Sequence, residues 1–209
     1  MNKKLSVLGL GPGNLDYLTR AGFKVITDSE IVIGGERQLE EIGELLTNQE
    51  RYVMKKLDSM KKFVSENLNK NIVFIVSGDT GYYSLLTYLK KSFPTESFNV
   101  IPGISSFQYL FSKLEMTWEH YELSSVHGRE NDYIKTLIES KAGVVLLTDE
   151  SNNPIEISKN LVQNGIDNIE VIVGERLSYL DEKISRFLVE DYEKNIRKYE
   201  MNVTILRKV

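Results

Sequence analysis

The sequence predicts an α/β fold made of two α/β domains, and three observations carry that expectation. Short apolar runs rich in β-branched residues recur at 5–10, 31–33, 52–54, 72–76, 98–101, 121–125, 144–147, 169–173 and 201–206. Most are separated by stretches of helical spacing, which is the mark of alternating strand and helix. The two halves also differ in texture: glycine turns follow strands in the first, whereas a long polar stretch, 178–198, precedes the last strand of the second. A boundary near 111–117 divides the chain into domains 1–112 and 113–209, and a cleft between two such domains is a common place for a ligand.

Run 5–10 is an apolar strand that passes directly into Gly9, Gly11, Pro12 and Gly13. Glycine here serves either a tight turn or the close approach of a ligand to the backbone. The spacing departs from the dinucleotide fingerprint, because Asn14 stands where a third glycine belongs and Pro12 has no N–H for a pyrophosphate. Asp28 and Glu30 nevertheless lie in the range of a ribose-binding acid. Beyond the strand at 52–54, Leu57, Met60, Val64 and Leu68 share one helical stripe, expected to cover a sheet face. Run 72–76 ends in Gly78, Asp79, Thr80 and Gly81, which fits both a turn before a capped helix and a ligand loop at the carboxyl end of a parallel strand.

Run 98–101 leads through Pro102 and Gly103 to Ser105 and Ser106, ahead of a helix containing Phe107, Leu110 and Phe111. Paired serines there act as caps, or offer hydroxyl and N–H groups to a carboxylate. After 121–125 come His127, Gly128 and Arg129, a solvated turn or a site in which Arg129 grips a carboxylate with both ends of its guanidinium. One helix is delimited at both ends: Asn153 caps it, Pro154 occupies its first position, Glu156 stands at the capping-box position, and Gly165 supplies a left-handed stop.

Composition narrows the chemistry. The 209 residues are 41% hydrophobic, enough for a sizeable core. Cysteine is absent, which excludes disulfides, thiolate metal sites and cysteine nucleophiles and suits a reducing compartment. With only His120 and His127, a histidine-rich metal centre is excluded, and no metal is expected. No run reaches the ~18 apolar residues of a membrane span, and the amino-terminal apolar run is too short for a signal peptide, so a cytoplasmic protein is expected. Lysine and arginine total 26 against 30 acidic residues, a net charge of −4, which disfavours nucleic acid as partner. Glu119 and Glu122 read as solvated surface rather than a glycosidase pair, and Trp118 as core or cleft wall.

Taken together the motifs resemble the tetrapyrrole (corrin/porphyrin) methyltransferases that use S-adenosylmethionine, along nearly the whole chain. Gly9–Gly13 match that family's opening Gly-x-Gly-Pro-Gly, Gly78-Asp79-Thr80 its Gly-Asp-Pro loop, and Pro102–Ser106 its Pro-Gly-x-Ser-Ser element. Gly34-Gly-Glu-Arg-Gln-Leu39, Ser77-Gly-Asp-Thr-Gly-Tyr-Tyr-Ser84, Ser125-Val-His-Gly-Arg129 and Gly174-Glu-Arg-Leu-Ser-Tyr179 are similar to the branch that methylates C5 of precorrin-7 or cobalt-precorrin-7. Thr80 and Leu180 depart from the pattern, each standing where proline is usual, and are expected to alter loop stiffness without abolishing function.

The resemblance implies two α/β domains with a cofactor cleft between them, a homodimer, and S-adenosylmethionine as methyl donor, leaving S-adenosylhomocysteine. By position, Gly11, Pro12, Gly78, Asp79, Tyr83, Ser105, Ser106, Leu147, Thr148 and Gly174 would bind the cofactor. Gly35, Arg37, His127 and Arg129 would meet the acetate and propionate arms of the corrinoid precursor, so that an acidic protein carries a locally basic trough. Methyl transfer from sulfonium to a ring carbon is mainly a problem of alignment and calls for no protein nucleophile. His127 is a conceivable base, with an orienting donor as its simpler role. Relatives fused to a decarboxylating C15-methyltransferase imply a separate partner for that step. The alternatives are another enzyme of the family, acting at a different corrinoid carbon or on an rRNA ribose, and a non-catalytic nucleotide-binding module.

Overall fold

The apolar runs of the first half build a parallel sheet from β1 (Leu5–Gly9), β2 (Ile31–Gly34), β3 (Glu50–Val53), β4 (Ile72–Val76) and β5 (Phe98–Ile101), in the order β3-β2-β4-β1-β5. In this computed structural model, which describes residues 4–129 and 131–209, helices cover both faces of that sheet. That is why its central strands read as unbroken apolar runs instead of alternating ones. Leu8, Val32, Val73 and Ile75 pack on one face with Ile26 of α1 (Arg20–Thr27) and Leu39 of α2 (Glu36–Glu41). Val7, Ile33, Phe74 and Phe98 pack on the other with Met60 and Val64 of α3 (Leu57–Ser65) and Leu89 of α4 (Leu86–Ser92). The expected stripe is therefore realised by Met60 and Val64 and, just beyond α3, by the partly buried Leu68 against the same cluster; Leu57, in the first turn, is 42% exposed.

This arrangement produces a crevice site by topology alone. The chain leaves β1 over one face through α1 to reach β2, and leaves the neighbouring β4 over the other face through α4 to reach β5. Strands β4 and β1 are thus the switch point of the sheet, and ligands of open α/β sheets bind outside the carboxyl ends of strands at such a point.

The second unit is a mixed sheet in the order β6-β7-β10-β8-β9. Its strands are β6 (Tyr121–Ser125), β7 (Gly143–Leu147), β8 (Ile169–Glu175), β9 (Lys183–Leu188) and β10 (Asn202–Lys208); β6 and β7 run parallel and the other pairs antiparallel. Val144, Leu146, Val171, Val173 and Leu206 form one face, packed with Leu137 of α6 (Tyr133–Glu139) and Leu161 of α7 (Pro154–Gln163). The expected cap of α7 is present, with Asn153 Oδ1 accepting from the N–H groups of Ile155 at 2.9 Å and Glu156 at 3.1 Å, and Gly165 has φ +70°.

The two compact units are Met1–Ser105 and Ser106–Val209, so α5 (Ser106–Lys113) lies wholly in the second. The physical reason is packing: α5 lies against β10, and its Leu110 fills the space that Gly174 of β8 leaves open. The polar stretch 178–198 also contains a strand, β9, at the edge of the sheet. Only Phe187 of that strand is buried, so it carries no apolar pattern to read.

Candidate functional site

In the first unit, the loops after β1, β4 and β5 meet at the switch point. Gly11 and Gly78 pair as an isolated antiparallel bridge: Gly11 N–H donates to the Gly78 carbonyl at 3.2 Å and Gly78 N–H to the Gly11 carbonyl at 2.9 Å. Both have positive φ, +93° and +64°, which glycine adopts without the penalty a Cβ would bring. A Cβ on Gly9 would lie 2.5 Å from the Gly78 oxygen and 2.6 Å from the Gly103 nitrogen; one on Gly103 would strike the Gly78 and Gly9 carbonyls in turn. The three loops touch main chain to main chain, and glycine at 9 and 103 is what allows it.

Asp79 fastens the junction. Its Oδ1 accepts from Gly81 N–H at 2.7 Å, closing its own turn, and its Oδ2 accepts from Gly103 N–H at 3.2 Å, reaching the loop after β5. Ser84 Oγ donates to the Thr80 carbonyl and accepts from Leu86 N–H, bracing the loop on its far side. Between these ties Tyr83 is held at φ +50° with its side chain half-exposed, edge-on to Tyr82 at 4.9 Å between ring centroids. Burial, with the neighbouring Tyr83 adding to it, pushes the Tyr82 hydroxyl pKa well above the usual tyrosine range. A bulky residue in the left-handed region is an outlier of the kind found at ligand sites.

Four N–H groups of these loops are therefore already engaged. Gly11 and Gly78 satisfy one another, Gly81 and Gly103 are taken by Asp79, and Pro12 has none to give. The Asp79 carboxylate stands at this junction, where it would repel a phosphate. Asn14, the apparent gap in the glycine pattern, serves a local purpose, since its Oδ1 accepts from Asp16 N–H at 2.9 Å and caps the short helical turn Leu15–Tyr17. The dinucleotide reading of Gly9–Gly13 is thus opposed by both geometry and charge.

The loop after β2 reaches the same edge. Arg37 Nη2 donates to Ser77 Oγ at 2.8 Å, Gln38 Nε2 donates to the same oxygen at 2.9 Å, and Arg37 Nη1 pairs with Glu41 at 2.5 Å. Gly35 precedes α2 as its cap residue. Arg37 is thereby aimed from two sides and connected, through Ser77, to the residue before Gly78. Ser105 is buried at the end of this unit, and Ser106 opens α5.

The second unit carries its own group of predicted residues. Register aligns Leu147 of β7 with Val203 of β10, and Val203 with Gly174 of β8, so Leu147 and Gly174 stand in one row two strands apart. The missing side chain of Gly174 is accounted for by packing, since a Cβ would meet Leu110 and Leu177 at 2.8 Å each. Thr148 Oγ1 donates to Asn202 Oδ1 at 2.7 Å, and its carbonyl lies 2.9 Å from His127 Nδ1. Asp149 accepts from Gly128 N–H at 2.7 Å and from the N–H groups of Ser151 and Asn152 at 2.9 and 2.7 Å. The Gly128 bond, foremost, and those from Asn152 and Ser151 hold its carboxyl below the usual range despite some burial. Arg129 Nε donates to the His127 carbonyl at 3.3 Å. His127, Gly128 and Arg129 are all exposed.

Gly103, Ser77, Asp149 and Asn152 organise these loops although none was predicted as a site residue. Ser77 and Gly103 lie within the sequence motifs of the loops, whereas the tie from Asp149 to Gly128 spans 21 residues and has no local pattern. Trp118 is half-exposed and edge-on to Phe107 at 5.4 Å. Among the described residues no helix is long and apolar enough to cross a membrane.

Comparison with known proteins agrees with this architecture. A family model described as Tetrapyrrole (Corrin/Porphyrin) Methylases matches residues 4–193. A probable cobalt-precorrin-7 C(5)-methyltransferase of Methanocaldococcus jannaschii is 34% identical over 187 residues, covering 86% of each chain. The cobalt-precorrin-7 C(5)-methyltransferase of Salmonella typhimurium is 29% identical over 203 residues, covering 97% of this chain and 98% of that one. Among solved structures, the uroporphyrin-III C-methyltransferase of Thermus thermophilus complexed with S-adenosyl homocysteine superposes with a TM-score of 0.79 at 18% identity, over 97% of this chain and 96% of that one.

Proposed function

Because this chain belongs to the tetrapyrrole (corrin/porphyrin) methylase family, we propose that it transfers the methyl group of S-adenosylmethionine to C5 of cobalt-precorrin-7 in cobalamin biosynthesis. The Methanocaldococcus jannaschii and Salmonella typhimurium relatives described above carry that activity in their names. The observation that carries the reading is the switch-point junction itself. Four of its N–H donors, those of Gly11, Gly78, Gly81 and Gly103, are spent within the protein, so the loop suits a cofactor without phosphates, and the Asp79 carboxylate suits one bearing a positive charge.

Gly11, Pro12, Gly78, Asp79, Tyr83 and Ser105 are the proposed cofactor residues of the first unit, and Ser106, Leu147, Thr148 and Gly174 those of the second. Gly35, Arg37, His127 and Arg129 are proposed to line the corrinoid site, with Arg37 and Arg129 meeting its carboxylate arms. Arg37 is the best prepared of these, because Glu41 and Ser77 fix its guanidinium before any substrate arrives. Prior orientation lowers the entropy cost of gripping a carboxylate. When bound, the sulfonium donor supplies an electrophilic methyl group. The chain itself contributes alignment, which in favourable intramolecular models is worth up to about 7–11 kcal/mol of the barrier. A homodimer and a cytoplasmic location belong to the same reading.

The test is mass spectrometry of the purified protein incubated with methyl-labelled S-adenosylmethionine and either cobalt-precorrin-7 or its metal-free counterpart, followed by NMR location of the label. One labelled methyl at C5 is the expected result. A label at another ring carbon, or none, refutes the assignment. Calorimetry with S-adenosylhomocysteine and with a nicotinamide dinucleotide checks the cofactor separately, and binding of the dinucleotide alone would overturn the argument from spent N–H donors.

A further inference from the structure

We infer that His127 is the proton acceptor of the reaction, with Nε2 as its basic atom, an assignment that rests on the C5-methylation reading above. C-methylation by substitution exchanges a hydrogen for a methyl group. The methyl–sulfur bond breaks with its electron pair going to sulfur, a carbon–carbon bond forms with electrons of the conjugated ring, and the acceptor carbon then releases a proton to restore conjugation. No oxidant or reductant is involved, but the released proton needs a base.

The geometry prepares one nitrogen of one imidazole for this. The Thr148 carbonyl, 2.9 Å from His127 Nδ1, can only accept, so Nδ1 carries the hydrogen. In the neutral ring that leaves the lone pair on Nε2, which makes no hydrogen bond among the described residues. A carbonyl that fixes the tautomer through the other ring nitrogen is the usual way for a protein to orient a working histidine.

The loop that presents the ring is held at several points, which an ordinary solvated turn does not need. His127 N–H donates to Ser125 Oγ at 3.3 Å, and Gly128 N–H to Asp149 at 2.7 Å. The Asn152 amide bonds both the Val126 carbonyl, at 3.0 Å, and Asp149, at 3.2 Å. Residues on both sides of His127 are thereby tied to the segment after β7, the same segment that supplies the Thr148 carbonyl. Asp149 spends its carboxylate on main-chain N–H groups and the Asn152 amide, so it anchors the loop while the Thr148 carbonyl addresses the ring. Arg129 folds back onto the His127 carbonyl.

Two variants test the assignment. His127→Gln keeps an N–H donor for the Thr148 carbonyl yet has no basic nitrogen; His127→Ala leaves space for a small base. Wild type and variants are assayed with S-adenosylmethionine and cobalt-precorrin-7, with S-adenosylhomocysteine affinity measured alongside as a check on folding. Loss of a general base costs about 10²–10⁴-fold in kcat, so we expect that loss in both variants, KM within about threefold of wild type, and recovery of the alanine variant by added imidazole. A rise in KM with kcat preserved would make His127 an orienting residue and overturn the proposal. So would a kcat loss in His127→Ala that imidazole leaves unchanged, or His127→Gln at wild-type kcat. Should the wild-type protein itself transfer no methyl group to C5, it is the functional reading that fails, and the wild-type arm shows this independently.

Discussion

Replacing Arg197 by methionine gives the sharpest test of how the second unit holds together. Glu175 ends β8 with its side chain only 4% exposed, and Arg197 grips both of its oxygens: Nη1 bonds Oε1 at 2.8 Å and Nη2 bonds Oε2. Glu200 N–H adds a third bond to Oε1 at 3.1 Å, while the guanidinium stacks on Tyr199, 3.8 Å from the ring centre. Burial pushes the Glu175 carboxyl up, but the Arg197 hydrogen bonds, the Glu200 N–H and the charges of Arg197 and Lys183 outweigh it, so it is held below the usual range. Methionine keeps an aliphatic stem against Tyr199 and removes the charge.

Breaking a fully buried pair costs about 3–5 kcal/mol; Arg197 is 40% exposed, so water offsets part, and we expect about 2–3 kcal/mol. For a unit of this size that is a fall of roughly 10 °C or more in midpoint. Trp118, the only tryptophan, lies in the second unit and reports its unfolding by fluorescence. The sign with pH follows from the lowered carboxyl. In the wild type Glu175 contributes fully above the unfolded value, about 4.3, and its contribution is lost as pH falls through the lower folded value. In the variant the buried carboxyl has lost its main counter-charge and is relieved by protonation, so the gap between the proteins should narrow from about pH 7 to about pH 4. A gap that stays constant over that window, or one below about 0.5 kcal/mol at neutrality, refutes the reasoning.

Asp79→Asn should loosen the switch-point junction, because the amide oxygen can accept from only one of Gly103 and Gly81 and its NH₂ faces the other; the N–H left unsatisfied costs about 1–3 kcal/mol in urea unfolding. Faster hydrogen exchange at the Gly103 or the Gly81 amide with weaker S-adenosylhomocysteine binding is the expected pairing, and exchange unchanged at both amides would sink the idea. Tyr83→Gly should move stability and function in opposite directions. Release of the left-handed strain is worth about 1 kcal/mol of stability, while calorimetry should show reduced S-adenosylhomocysteine affinity; a lower melting temperature would contradict it.

Much of this was legible in the sequence where burial repeats along the chain. Strands β4, β5 and β6 begin and end where their apolar runs do, and Asn153 caps α7 as its residue type requires. Strand β9 was invisible because five of its six residues escape burial, and Leu57 had the right spacing but lies at a helix end where the sheet no longer covers it. In the first loop, Gly11 and Gly13 were legible because a positive φ is a local demand of the turn. The acceptors that engage Gly103, 24 residues from Asp79, and Gly128, 21 residues from Asp149, depend on which strands become neighbours. Gly174 shows the converse: the family resemblance marked it, and the structure accounts for its missing side chain by Leu110 and Leu177.

The contact between Gly9 and Gly103 also has a consequence for mutational tolerance. The atoms that would obstruct a side chain at either position are main-chain atoms of the other loop and of Gly78, and these no substitution can trim. A larger residue at one position therefore has no compensating partner elsewhere, unlike a core position, where a neighbour can shrink. In a library randomised at 9 and 103 together, selection for activity should return the parental pair alone, with neither single site acting as a stepping stone to a new combination.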